Sequence, residues 1–397
     1  MKKYHLFQFI IFLTIILSLV ISLASLSPCI DKRIKSSSIK LPENDLEINW
    51  NNGESVHPDT MIDSLGGLHV VWEDYTNGIW GNDSEIMYIS NSGSGWSNTT
   101  VISDDGTNWN NGSSSRPSIA VDNSEEIHIV WGDHTEGIWG IDSEIMYVSY
   151  TEGDGWSNAT VISDGYNDIY WNNGSSSRPS IAGDNTGKVH VVWEDYTDGF
   201  WGTDWEIMYV SHIDGFGWSN ATVISDGYNS TYWNNDSSAS PSIAVDNSGK
   251  IQVVWMDETN GIWGTDGEIM YCSSTDGISW LNATVISDDV TKWNNGAPYK
   301  SSIVIDNSGK IHVAWEENTY GVWGGGIFDT EIMYTSSNDG LTWSNATVIS
   351  DGYNGLYWNN GTSSSPSIAV DNSGKIHISW DDHAYGVWGN DKDIMYT

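Results

Sequence analysis

A five-residue apolar stretch ending in Trp recurs six times along the chain, as LHVVW (68–72), IHIVW (127–131), VHVVW (189–193), IQVVW (251–255), IHVAW (311–315) and IHISW (376–380). The Trp-to-Trp spacings are 59, 62, 62, 60 and 65 residues. Three more markers keep the same period. EIMY begins at 85, 144, 206, 268 and 331, with DIMY at 393; WNN begins at 50, 109, 171, 233, 293 and 358; and W-[SL]-N-[AT]-T-V-I-S begins at 96, 156, 218, 280 and 343. A fixed period of about sixty residues marks an array of identical supersecondary units.

Each unit reads as four short strands rich in β-branched and aromatic residues. In the fourth they are Pro241–Val245, Ile251–Trp255, Glu268–Ser273 and Ala283–Ser287, the first two joined by the turn Asp246-Asn247-Ser248-Gly249-Lys250. Four strands per repeat and six repeats predict an all-β, six-bladed β-propeller over residues 43–397, with four antiparallel strands per blade. The last repeat stops after its third strand. The orphan segment Asp45–Asn49 is expected to supply the missing fourth strand and close the last blade, which removes an open sheet edge.

Residues 6–26 are uncharged and mostly apolar behind Lys2 and Lys3, so 1–28 reads as a signal peptide or an N-terminal membrane anchor, and 29–42 as a linker. Both imply a secreted or cell-surface protein. Five N-x-T sequons, at Asn98, Asn158, Asn220, Asn282 and Asn345, fall just before the outermost strand, where glycans fit. The chain carries 53 acidic against 15 basic residues, and six of the basic ones lie within the first forty positions. A body this acidic repels nucleic acid and anionic membrane surfaces, and attracts divalent cations or basic partners. Cys29 and Cys272 offer no disulfide framework within the body, which is expected to be a monomeric propeller.

The segments Ser274-Thr275-Asp276-Gly277-Ile278-Ser279-Trp280 and Ser337-Asn338-Asp339-Gly340-Leu341-Thr342-Trp343 resemble the Asp-box, or BNR repeat, of the sialidase-like propeller superfamily (S-x-D-x-G-x-x-W), one residue shorter. The resemblance covers 43–397 and implies a six-bladed propeller. Its hydrolases clamp a substrate carboxylate with three arginines and use a Tyr/Glu nucleophile pair with an acid/base Asp. The body here has two arginines, Arg116 and Arg178, so the resemblance implies the fold without the full clamp, and no catalytic residue is carried over.

Residues present in every blade read as scaffold, and those that break the symmetry as candidate sites. The loop after strand two adds a fourth recurring Trp, at Trp80, Trp139, Trp201, Trp263, Trp323 and Trp388, and of the 24 Trp only Trp205 lies outside these four repeat positions. Loops after strands two and four share one face of a propeller and bring it, per blade, carboxylates such as Asp257 and Asp266 (Asp195 and Asp204 in blade three) and Trp such as Trp263 and Trp233. Clustered oxygen ligands suit Ca²⁺, and Trp beside Asp and Asn suits sugar rings. The same residues also serve as turn caps and loop packing. At the start of strand one, beside the pore, the six copies carry His57, Arg116, Arg178, Ser240, Lys300 and Ser365. This basic ring in an acidic body suits an anionic sugar or a peptide carboxylate, or pairs with nearby acids. Three readings follow: a non-catalytic propeller binding a glycan or an extracellular protein through its Trp/Asp-rich face; a sialidase-like glycoside hydrolase acting on acidic sugars; and a structural surface-layer component.

Overall fold

A computed structural model describes residues 53–397 apart from 79–80, 105–109, 138–139, 165–171, 173, 199–202, 227–233, 235, 261–265, 288–295, 319–329, 351–360 and 384–391. The expected signal or anchor segment (6–26), the linker and the closing strand Asp45–Asn49 lie outside the described residues. Among those described, no helix is long and apolar enough to cross a membrane.

The six repeats form six antiparallel sheets, one per blade of a β-propeller. First strands are Ser55–Ile62, Ser114–Val121, Ser176–Gly183, Ser238–Val245, Ala297–Ile305 and Thr362–Val370. Second strands run Leu68–Asp74, Ile127–Asp133, Val189–Asp195, Ile251–Asp257, Ile311–Asn318 and Ile376–His383. Third strands open on Glu85, Glu144, Glu206, Glu268, Glu331 and Asp393, and in five blades a two-residue Thr-Val strand follows at the rim. First strands of successive blades pack against one another along the chain, so they are innermost.

Second strands are sandwiched between neighbouring blades. The first four are buried at every residue, without the alternation of a half-exposed sheet. Trp131, Trp193, Trp255 and Trp315 are fully buried. A large aromatic in a mobile site would waste its area, and here each indole is pinned through its N–H: Trp193 Nε1 donates to Asp195 Oδ2 at 2.9 Å, and Trp255 Nε1 to Asp257 Oδ2 at 3.0 Å.

The rim strand is shorter than expected, Thr284–Val285 in place of Ala283–Ser287. Its pairing nevertheless continues. Ile286 N donates to Ile269 O, after which the Ser287 hydroxyl accepts the Ile269 N–H at 2.8 Å, a side chain taking over from the backbone ladder.

Blades are joined by a repeated aromatic contact. The third-strand Tyr of one blade meets the rim Trp of the next edge-on: Tyr88 with Trp156, Tyr147 with Trp218, Tyr209 with Trp280 and Tyr271 with Trp343, at centroid distances of 4.9–5.0 Å. Each Tyr hydroxyl is fixed within its own blade by the strand-two His, as in Tyr209 Oη to His190 Nδ1 at 2.7 Å, while His190 Nε2 faces Asp184 of the strand one–two turn at 3.5 Å. Blade four carries Gln252 instead, which accepts the Tyr271 hydroxyl at 2.8 Å. The recurring histidines are therefore packing and hydrogen-bonding positions, as their periodicity implies.

The two Ser-x-Asp-Gly hairpins are closed by their own side chains. Asp276 Oδ1 accepts the N–H groups of Ile278 and Ser279, and Ser274 Oγ accepts that of Gly277. Gly277 has φ +73°, and a Cβ there would lie 2.4 Å from Tyr209 Oη of the preceding blade. Gly277→Ala is expected to lower stability by about 3 kcal/mol, combining a left-handed backbone penalty with overpacking. Gly374→Ala, at φ +81° with no neighbour in reach, is the control and pays the backbone penalty alone. Urea unfolding of the two variants measures the difference, and equal losses would disprove the interblade clash.

Candidate functional site

Each first strand carries a bulge at one place. Pairing with strand two breaks between Val56/Asp59, Ser115/Ser118, Ser177/Ser180, Ala239/Ser242, Tyr299/Ser302 and Ser364/Ser367. The bulged residues are His57, Arg116, Arg178, Ser240, Lys300 and Ser365, all with φ between 41° and 55°. Non-glycine residues seldom occupy this region, and six equivalent copies make it a built feature of the fold. The sequence-derived ring is thus brought together at the inner end of the blades.

A second ring lies against it, from the residue after each strand-two Trp: Glu73, Gly132, Glu194, Met256, Glu316 and Asp381. Where this residue is Glu, it binds the bulge of its own blade, of the next, or of both. Glu73 Oε2 meets His57 Nδ1 at 2.9 Å and accepts Arg116 N–H at 3.2 Å. Glu194 Oε1 meets Arg178 Nη1 at 2.6 Å, and its Oε2 accepts Ser240 N–H at 3.0 Å. Glu316 accepts Ser365 N–H at 3.2 Å. These carboxylates hold the strained bulges in place. Lys300 Nζ reaches the neighbouring bulge itself, at Ser365 Oγ, 2.7 Å.

Blade two breaks the scheme. Gly132 supplies no carboxylate, so among the described residues Arg116 has no ion-pair partner, and Arg178 N–H lacks the glutamate acceptor that Arg116, Ser240 and Ser365 have. Space is present there, since a Cβ on Gly132 would meet nothing nearer than Ser115 Oγ at 3.6 Å and Ser177 Cα at 3.9 Å. Arg116 is half-buried, and its guanidinium is pushed below its ordinary range, by burial first and then by the charge of Arg178. Blade two thus sets two guanidiniums near each other beside Gly132, and among the described residues Arg116 has no ion-pair partner.

The remaining sequence-derived residues fall into separate places. Trp205 is partly exposed and packs on Tyr196 at 5.2 Å, and its carbonyl accepts Ser238 N–H. Trp263 and Trp233 lie outside the described residues. Asp195 and Asp257 are placed as brackets, each only 2% exposed. Asp257 Oδ2 accepts from Trp255, Ser238 and Asn234, and its Oδ1 from Thr259 N–H. Asp204 and Asp266 differ: each has a buried Oδ2 that no donor among the described residues reaches. Asp122, Glu126 and His128 offer three ligand atoms within 4.8 Å of one another at the opposite end of blade two. There Asp122 Oδ1 is already bonded to Ser124 and Glu126 N–H. On the loop side, Asp236, Met256, Glu258, Asn260 and Tyr299 line a cleft at the edge of blade four, where Met256 replaces the ring carboxylate.

Gly132 was legible in principle. Aligning the residue after each strand-two Trp exposes it as the one Gly in a column of mostly carboxylates.

No family model matches the sequence, and no curated protein does. Solved structures do share the fold. The Hadza microbial sialidase Hz136 superposes with a TM-score of 0.52 at 13% identity, over 85% of this chain and 64% of its own. A Dyadobacter fermentans protein of unknown function gives 0.54 at 11%, over 87% and 94%. The GH93 α-L-arabinofuranosidase of Fusarium graminearum, solved with arabinobiose, gives 0.52 at 13%, over 83% and 88%. The chain spans just under two thirds of the Hadza sialidase. At such identities the likeness is one of fold, the six-bladed propeller of the sialidases and GH93 enzymes.

Proposed function

We propose that this protein is a binding propeller of the cell exterior that captures a carboxylate-bearing ligand, an acidic glycan first, at the inner ring between blades two and three. The observation that carries this reading is Gly132. In blades one, three and five a glutamate meets a basic bulge side chain or accepts the bulge N–H of the following blade. In blade two an incoming carboxylate takes the place of that glutamate, accepting from the Arg116 guanidinium and Arg178 N–H, with Arg178 adding charge from the far side. An export-type N-terminal segment and sequons before the rim strand support a location outside the cytoplasm. Trp205, partly exposed, is the loop-face aromatic offered to the rest of the ligand.

The test is a glycan array probed with the full chain, with Ca²⁺ and with chelator, beside two variants. Arg116→Ala/Arg178→Ala removes the donors. Gly132→Glu restores the ring carboxylate and fills the site from within. Wild-type protein is expected to retain carboxylated glycans, and both variants to lose them by about 10- to 100-fold, the worth of one or two charge-assisted bonds. Equal retention by Gly132→Glu would sink the reading, as would no binding to any acidic glycan. Release of free sugar from a retained glycan would instead favour the hydrolase alternative.

A further inference from the structure

Carboxylates with one oxygen that no protein donor reaches among the described residues form a second repeated feature, away from the ring. Strand three opens on Glu85, Glu144 and Glu206 in the first three blades, and each has 0% exposure. Their Oε2 atoms are bonded alike, to Ser103, Ser163 and Ser225 hydroxyls from the end of the rim strand, each at 2.5 Å. Each of those serine oxygens also accepts the next backbone N–H, of Ile86, Ile145 or Ile207. The glutamates are therefore held in one fixed pose. In that pose Oε1 of each is buried and has no hydrogen-bond partner.

Two residues earlier, Asp83, Asp142 and Asp204 each present a buried Oδ2, also without a partner. The charges bearing most on Glu206 are those of Asp204, Asp226 and Asp257, and the same three positions surround Glu85 and Glu144. A fixed, buried carboxylate oxygen amid other carboxylates is strongly unfavourable unless a positive charge meets it or a proton neutralises it. No Lys or Arg of the described residues forms an ion pair with any of these six. The donor set is all hard oxygen, which suits Ca²⁺ and not the nitrogen- and sulfur-seeking metals.

We infer that the pairs Asp83/Glu85, Asp142/Glu144 and Asp204/Glu206 each hold one divalent cation of the Ca²⁺ class, so that the propeller carries at least three such ions in successive blades. Asp204 belongs to the residues expected from sequence to bind metal; the glutamates do not, and Asp195 serves as a bracket behind the site. The ions lock the start of strand three to the loop before it, a role distinct from ligand capture at the ring.

The experiment is Ca²⁺ titration calorimetry on the full chain after chelator stripping and confirmation of its β-sheet circular dichroism. At least three Ca²⁺ per chain are expected, with a rise in unfolding temperature on adding Ca²⁺. Glu206→Gln retains an oxygen for Ser225 and removes the charge, so it should bind one ion fewer. Asp83→Asn and Glu144→Gln should each do the same in their own blades, which guards against one variant failing to fold. Fewer than three ions on folded wild type overturns the inference and leaves the glutamates neutralised by protons. So does unchanged stoichiometry in all three folded variants.

Discussion

Asp195→Ala should be among the most damaging single substitutions in the molecule, lowering stability by about 4 kcal/mol. The side chain gathers four donors from three segments. Asp195 Oδ2 accepts from Trp193 Nε1 at 2.9 Å, Ser176 Oγ at 2.7 Å and Asn172 Nδ2 at 3.0 Å, and Oδ1 accepts Thr197 N–H at 2.9 Å. Ala strands all four inside the protein, each at a cost of about 1–3 kcal/mol before relaxation. Partial rearrangement and water entry reduce the total, but Trp193 is fully buried and cannot turn its indole to solvent. Asp195→Asn keeps acceptor capacity on one oxygen and should cost less than half as much. Equilibrium denaturation of both variants, followed by Trp fluorescence, measures the effect. A loss below about 1.5 kcal/mol for the Ala variant would show that the bracket is dispensable.

The second large effect is a dependence on pH. Burial pushes His190 down to about 4, the nearby Lys188 charge adds to this, and Asp184 opposes it only in part. The Tyr209 hydroxyl donates to Nδ1 of the neutral ring. In the unfolded chain the imidazole returns to its ordinary value near 6.5. Above pH 6.5 the ring is neutral in both states and contributes nothing to the pH dependence. As pH falls from 6.5 to 4 the unfolded state takes up a proton that the folded state refuses, so stability falls, by up to about 3 kcal/mol from this residue alone. His312 is lowered for the same first reason and adds to the same limb. His190→Gln should remove its share of the acid slope while keeping an acceptor for Tyr209, the arrangement that Gln252 and Tyr271 already display. The wild-type minus variant stability difference, measured by urea unfolding at pH 7.5, 6, 5 and 4.5, should fall steadily as pH falls, because the wild type alone loses this share. A difference independent of pH would mean that the ring protonates in place.

Much of the fold could be read from the repeat, because Trp, Glu-Ile-Met-Tyr and Asn-Ala-Thr recur at a fixed spacing, and each belongs to one strand. The inner ring was also legible as a set of six aligned positions. Its backbone was not. Five of the six bulge residues precede Pro, which on local grounds favours extended backbone, and the strand-two glutamates that accept three of the bulge N–H groups lie far away in sequence. The acids were the least legible part. Asp195 and Asp204 look alike as loop carboxylates, yet Asp195 lies two residues after a buried Trp, on the same side of the strand, and becomes its acceptor. Asp204 precedes strand three and has no such donor. Glu206 was hidden inside a motif whose constancy reads as scaffold.

The six left-handed bulges give the propeller something a regular strand cannot offer. A side chain in a paired strand is bound by parity, by its cross-strand neighbour and by the blade beside it. At the bulge the ladder is already broken, and the conformational cost is similar for His, Arg, Ser or Lys. Each blade therefore contributes one residue that is free to change without disturbing the sheet. The inner rim is in effect a six-letter word written on a constant page, here His-Arg-Arg-Ser-Lys-Ser. Duplication of a sixty-residue unit supplies the page, and single-codon changes at one place per unit can respell the word while the Trp-braced sheets of the propeller stay the same.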